Sequence, residues 1–303
     1  MPRPNQIPAH DQVPVVRSDI TAGLRSLGVR PGDVLMTHVS MSSLGWVVGG
    51  TETVTRALLE VLRPTGTLCA VLSWEDIPLH IDEWPNRWRR AYESELPGFD
   101  RETSEANQSY GRFAERLRTW PGAVKSGHPD QRVAAVGPQA SWLVDPHPLD
   151  DSFGPGTPFE RMVEVHGKVL LLGAPLKSLT LLHHAEAMAA VPRKRRWTYR
   201  LPFATDGRRE WKSLNDINVE HGVFPYADVV PPGETPLSRI AQDALAAEVG
   251  VSSKIAAAEC YLFPAADLIT FGVAWLEERF THVKSRWEIC EHELAEPERN
   301  LSP

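Results

Sequence analysis

The chain has 303 residues, 42% apolar and 23% charged, with a formal net charge of −7; that is enough to bury the core of one large α/β domain or two modest ones. The acidic balance, with no Lys/Arg stripe interleaved with aromatics, argues against nucleic acid and suits a polycationic ligand. No apolar run reaches the length of a bilayer span and the N-terminus has no signal-peptide core, so neither membrane association nor secretion is expected.

Residues 1–12, rich in Pro, Asn and Gln, read as a loose leader, 13–285 as one α/β domain, and 286–303 as a frayed tail. Ser18-Asp19 opens a short helix through Arg25. Val34 to Val39 is the first core strand, followed by a hydroxyl- and glycine-dense loop, Ser40 to Gly50. Thr51 and Glu52 begin an amphipathic helix carrying Val54, Leu58, Leu59 and Leu62, and Thr67 to Ser73 is a second strand. This βαβ unit calls for a right-handed crossover and a mostly parallel local sheet. Residues 74–110 lose the pattern: two acidic pairs, Glu75-Asp76 and Asp82-Glu83, stand among Trp84, Trp88, Tyr92 and Phe99. Such an insertion is read as an ordered lid or pocket wall.

A helix over Gly111–Trp120, a turn at Lys125–Asp130, a strand over Val133–Val136 and a helical turn to Val144 follow. Thr157-Pro158 places an N-cap before proline at the first helical position. Lys168 to Gly173 is a short apolar run closed by glycine, a strand buried on both faces. Trp197–Phe203 and Arg209–Ser213 form a hairpin around Asp206-Gly207, within a second insertion, 197–233. A helix over Leu237–Val249, a strand over Ala258–Phe263 and a helix over Pro264–Phe280 complete the chain.

After the buried strand comes Thr180-Leu-Leu-His183-His184-Ala-Glu186. Thr180 suits a helix N-cap, with His183 at the third helical position and Glu186 one turn later on much the same face. An imidazole at the C-terminal edge of a core strand lies where α/β enzymes place chemistry; the bland reading is packing or capping. His184, about 100° away on the wheel, faces elsewhere. His183 and Glu186 also have a metal-ligand spacing, but no second pair matches it. Ser40 to Gly50 is neither a Walker loop nor a G-x-G-x-x-G turn, yet its N–H groups and hydroxyls would cradle an anion; a flexible turn is the alternative. The absence of G-x-S-x-G disfavours an α/β-hydrolase, and Cys69, inside a strand, is a small hydrophobe rather than a nucleophile. Cys69, Cys260 and Cys290, widely spaced, suggest neither disulfides nor zinc and point to a reducing cytoplasm.

Several segments together, from Leu35-Met-Thr-His-Val-Ser-Met-Ser-Ser-Leu-Gly45 and Gly49-Gly50, through Phe99-Asp-x-x-Thr-Ser104, Pro121–Pro129, Ala135-Val-Gly-Pro138 and Leu170–Pro175, to Leu182-His-x-Ala-Glu186, resemble the acetyl-CoA-dependent aminoglycoside 3-N-acetyltransferases. These are distinct from the GNAT superfamily. The resemblance runs in order from about Leu24 to Phe280 and looks closest to the gentamicin-type enzymes. It implies a three-layer α/β/α fold with a central mixed sheet. It also implies acetyl transfer from acetyl-CoA to the 3-amino group of 2-deoxystreptamine drugs of the gentamicin, kanamycin, tobramycin and sisomicin class. By the same resemblance His183 is the general base, with Glu186 beside it, and Asp216 orients the base or holds the drug. The cofactor falls to His38, Ser40, Met41, Ser42, Ser43, Leu44, Gly45, Ser126 and Thr180. Val39 stands where the family commonly has Ser.

The chemistry is consistent with this. A protonated amine is a poor nucleophile, so a base must take its proton, and the oxyanion needs donors such as backbone N–H groups or the Thr180 hydroxyl. With no credible nucleophile, transfer is direct. Glu75, Asp76, Asp216, Glu220 and Glu259 are candidates for the cationic rings. His128 would contact substrate or fix its turn, and Lys194-Arg195-Arg196 would reach a phosphate or answer a helix dipole. No metal is expected, and the protein is read as a monomer or homodimer. The rivals are a CoA-dependent enzyme with another acceptor amine, a metal-dependent hydrolase using His183, Glu186 and His128, and a drug-binding protein without catalysis.

Overall fold

The computed structural model describes residues 13–281; the expected leader, the tail with Cys290, and residues 282–285 lie outside them. In chain order the main elements are α1 (Arg17–Leu27), β1 (Val34–Val39), α2 (Gly50–Leu62), β2 (Thr67–Val71), α3 (Asn86–Glu95) and α4 (Gly111–Arg118). Next come β3 (Val124–Lys125), β4 (Val133–Val136), α5 (Ala140–Val144), α6 (Pro158–Glu164), β5 (Lys168–Leu172) and α7 (Leu182–Met188). The hairpin β6 (Arg196–Thr205) and β7 (Arg208–Ile217) precedes α8 (Pro236–Ala246), β8 (Val251–Ile255), β9 (Ala258–Pro264) and α9 (Ala265–Phe280).

Seven strands form one sheet in the order β3-β4-β2-β1-β5-β9-β8. β1 runs parallel to β2 and β5, while β4, β3, β9 and β8 attach antiparallel at the two sides. The sheet is therefore mixed, with the predicted parallel unit at its centre. Successive side chains on a strand face opposite ways, and here they serve two cores. Leu35, Leu68, Leu170 and Leu172 pack with α1, α2 and α4. Val34, Met36, Cys69, Val71, Val169 and Leu171 pack with α5 to α9. The result is the expected three-layer α/β/α arrangement.

The helices that follow the adjacent parallel strands β1 and β5, α2 and α7, lie on opposite faces of the sheet. Chains diverging to opposite faces open a crevice at the carboxyl ends of those strands, where ligands of such sheets bind. The Ser40 to Gly50 loop and the turn leading to His183 both emerge there. Gly173, at the end of β5, has φ +69, and a Cβ on it would lie 2.8 Å from Ser43 Cβ. Glycine is required because the loop crosses it so closely.

The two insertions pack on each other. Trp74, Leu96 and Phe99 of the first join Tyr199, Leu201, Phe203 and Leu214 of the hairpin in a small separate core. Arg200 pins the same junction by bonding Asp82 and Glu93. Among the described residues, no helix is long and apolar enough to cross a membrane.

Candidate active site

His183 is the second residue of α7, not the third, because the helix starts later than Thr180 would set it. A 3₁₀ turn, Leu176–Ser178, follows Pro175, and the Thr180 hydroxyl turns back to the Ser178 carbonyl at 3.4 Å. Thr180 is thus no N-cap: the cap is Leu181, in helical conformation, with no side-chain bond. One helical turn brings His183 Nδ1 to 2.5 Å from Glu186 Oε2. Glu186 is 2% exposed, and its other oxygen accepts from the Tyr226 hydroxyl. Burial, then the adjacent carboxylate, raises the Tyr226 pKa well above the usual phenol value, so it remains a donor. With Nδ1–H donated to a carboxylate, the His183 tautomer carries its lone pair on Nε2. The Phe153 ring packs against His183 at 4.9 Å between centroids. His184 points away, as its place on the wheel requires, and binds the Phe153 carbonyl through Nδ1 at 2.6 Å.

Two grooves meet at this edge of the sheet. The first, about 850 Å³, is lined by Thr37, His38, Ser40, Met41, Ser42, the start of α4 at Gly111 and Arg112, and Thr180. The second, about 570 Å³, is lined by His183, Glu186, Arg195, Glu220, His221, Tyr226 and Leu237. Lys177 borders both. His183 and Thr180, hydrogen-bonded through their backbones at 3.0 Å, stand on either side of the join.

The first groove fits a long phosphorylated thioester. It offers hydroxyls, the amino end of α4 with Arg112, and the Lys177 ammonium, all favourable to phosphate. Thr37 Oγ1 and His38 Nε2 are buried without a partner within the protein, and burial holds His38 down at about 4, a neutral ring. Ser43 closes the loop on the Ser40 hydroxyl at 2.8 Å, and Gly45 takes φ +87. Leu44 is fully buried in the α1/α2 core, so only its backbone remains to a ligand.

Other candidates are placed elsewhere. Ser126, fully buried, accepts from Val133 N–H at 2.8 Å and pairs with His147 Nδ1 at 3.0 Å. His128, also fully buried, accepts from Gln131 N–H at 2.9 Å and reaches the Leu149 carbonyl at 3.2 Å. Both serve internal turns, so the hydrolase ligand set is not assembled. Among the described residues no three His, Cys, Asp or Glu side chains come together as a metal-binding group. Glu75 is turned to Gln108, accepting its backbone N–H at 2.7 Å. Asp76 and Glu259 are exposed and line neither groove. Lys194 reaches the Ala187 carbonyl near the end of α7, the dipole-answering role. Cys69 and Cys260 are free and buried, and burial raises both thiols, which opposes a thiolate role.

Asp216 lies 3% exposed and accepts from the hydroxyl and N–H of Ser152; burial lifts its pKa to about 6. It therefore fixes the segment whose next residue, Phe153, rests on His183. Sequence reasoning did not find Tyr226, Ser152, Phe153 or Lys177. Asp130 was also missed: it accepts from Ser73 and Gln131 at 3.2 and 2.7 Å, and burial raises its pKa. None of these belongs to a spacing pattern, and folding alone brings them together.

A profile of the family described as aminoglycoside 3-N-acetyltransferase matches residues 36–277. The chain is 48% identical over 267 residues to aminoglycoside N(3)-acetyltransferase VIII of Streptomyces fradiae, covering 88% of this chain and 93% of that one. Its fold superposes on the crystal structure of aminoglycoside acetyltransferase AAC(3)-Xa with a TM-score of 0.86 at 47% identity, over 88% of this chain and 94% of the other. AAC-IIIb, solved as a binary complex with CoASH, gives 0.80 at 36% identity, over 88% and 98%. AAC-VIa, solved bound to sisomicin, gives 0.81 at 38% identity, over 88% and 99%.

Proposed function

The chain belongs to the aminoglycoside 3-N-acetyltransferase family, and from that premise we propose how its residues carry the reaction. It is an acyltransferase that moves acetyl from acetyl-CoA to the 3-amino group of a 2-deoxystreptamine antibiotic, a modification that confers resistance. The acceptors are drugs of the gentamicin, kanamycin, tobramycin and sisomicin class. The single observation carrying the mechanism is the His183–Glu186 pair, which borders one groove while Thr180, whose carbonyl accepts from the His183 N–H, borders the other.

The first groove holds the cosubstrate, its phosphates toward Arg112, Lys177 and the Ser40 to Gly45 loop. When bound, the thioester supplies an activated acetyl carbonyl. Glu220 and the carboxylate edge of the second groove attract the ammonium groups of the drug. His183 accepts a proton from the 3-amino group at Nε2 as that nitrogen attacks the thioester carbonyl; the C–S bond then breaks, and the CoA sulfur leaves as the free thiol with the proton returned from the imidazolium. Glu186 stabilises the imidazolium through Nδ1, and Tyr226 keeps Glu186 oriented. General-base assistance of this kind contributes about 10²–10⁴-fold. No covalent acyl-enzyme is needed, and the enzyme works in the cytoplasm, where its thiols stay reduced.

Release of free thiol from acetyl-CoA in the presence of sisomicin, gentamicin, kanamycin or apramycin tests this reading. Turnover with at least the sisomicin and gentamicin types is expected. No turnover across the panel, with turnover on another amine, would move the acceptor outside the aminoglycosides.

A further inference from the structure

At the rim of the second groove the two insertions meet through His80. His80, from the 74–110 insertion, lies against Trp197 of the hairpin at 5.5 Å between ring centroids. Its Nε2–H donates to Glu220 Oε2 at 2.9 Å, and Glu220 lines the groove together with His183. The other ring nitrogen, Nδ1, lies 3.5 Å from Oε1 of Glu83, a side chain 80% exposed. The His221 ring stands edge-on to His80 at 6.2 Å. Asp82, on the same turn as Glu83, is already engaged by Arg200. The charged and titratable groups facing His80 are therefore Glu83 on its own element and Glu220 and His221 on the loop after the hairpin.

The body of the insertion is fixed by its own apolar core and by Arg200, so the contact that can be exchanged is His80 itself. Its nitrogen occupies the position on Glu220 Oε2 that a substrate ammonium would take, and a second carboxylate, Glu83, waits on the solvent side. We propose that His80 holds the place of a substrate ammonium on Glu220 and yields it when an aminoglycoside binds, swinging to Glu83; His80 is thereby a specificity-determining residue. This rests on the reading of the second groove as the drug site. A drug whose ammonium reaches Glu220 competes with the imidazole, and a drug lacking that amine leaves the contact intact.

The test is a double-mutant cycle read by calorimetric titration of sisomicin into wild type, His80→Ala, Glu220→Gln and the double variant. Removing the competitor is expected to tighten binding about threefold, and Glu220→Gln to weaken it about tenfold. In the Glu220→Gln background, His80→Ala changes nothing further. His80→Phe keeps a ring on Trp197, lacks both nitrogens, and gives the same gain as alanine, with the change falling on KM rather than kcat. Weaker binding by His80→Ala, or an equal effect with and without Glu220, overturns the proposal. Thiol release by wild type with sisomicin separates the two failures. If release occurs but the cycle shows no coupling, only the role of His80 falls. If there is no release, the drug-site reading falls first.

Discussion

At the residue scale the account depends on three side chains in line, Tyr226, Glu186 and His183. His183 and Glu186 were legible in the sequence because a helix turn fixes their spacing. Tyr226 was not, since its hydroxyl arrives across 40 positions of chain. Removing that hydroxyl leaves a buried carboxylate oxygen short of a donor, which costs about 1–3 kcal/mol at such a site. Tyr226→Phe is therefore expected to lower kcat about tenfold with little change in drug affinity, measured by steady-state thiol release. Wild-type kcat in that variant would remove Tyr226 from the line. Glu186→Gln keeps the shape but withdraws the charge that stabilises imidazolium, and kcat should fall by about 10²-fold. The same burial that made Ser126 and His128 poor ligands could not be read from their turn motif, because a Ser-Gly-His-Pro turn looks alike whether it faces solvent or core.

At the level of elements, the central strands and their helices were legible because their apolar runs and periodicities are strong. Three elements were not. α3 has no buried residue, and its few apolar positions, Trp88, Ala91 and Tyr92, stand among charged neighbours, so they read as pocket-wall aromatics rather than as a helix face. β8 exposes Val251 to Lys254, and an edge strand with that pattern resembles a loop. β3 is two residues long and exists only by pairing with β4. Thr180 had the chemistry of a cap but not its position, since the 3₁₀ turn after Pro175 delays the helix and leaves this residue on the first groove. The glycine closing β5 has a sharper consequence. Alanine at 173 would keep a left-handed backbone and drive Cβ to 2.8 Å from Ser43 and 3.0 Å from Ala258. Gly173→Ala should lose about 2 kcal/mol of stability and raise KM for acetyl-CoA by displacing the Ser40 to Ser43 loop. Thermal unfolding and cofactor titration read both effects, and an unchanged melting temperature with unchanged KM would contradict the crossing as described.

The molecule as a whole carries a buried charge pattern with a pH signature. Burial holds the imidazoles of His38, His128, His147 and His184 below the usual 6.5, His38 and His147 at about 4. A histidine whose folded pKa is depressed contributes stability that is present above 6.5 and lost as pH falls toward the folded value. For His147 the loss approaches roughly 3 kcal/mol. Asp216, raised to about 6, and Asp130, also raised, act in the opposite sense, recovering stability as pH falls through the same window. Four rings outweigh two carboxylates, so the melting temperature should drop between pH 6.5 and 4, and His147→Gln should flatten that drop. A flat wild-type profile would contradict the neutral buried rings. The overall plan, a mixed sheet between two helical layers, was legible through the family resemblance that the order of the motifs carries. The meeting of two insertions over the second groove was not, because it depends on an aromatic core formed between segments about 100 positions apart.

The most direct test concerns His183 itself: acetylation of sisomicin by wild type and His183→Ala, with the product identified by NMR and drug binding measured by calorimetry. The account predicts a single wild-type product acetylated at N3, and at least a 10²-fold loss of kcat in the variant with the drug still bound. Wild-type turnover in His183→Ala, or acetyl found on another amine, would contradict it.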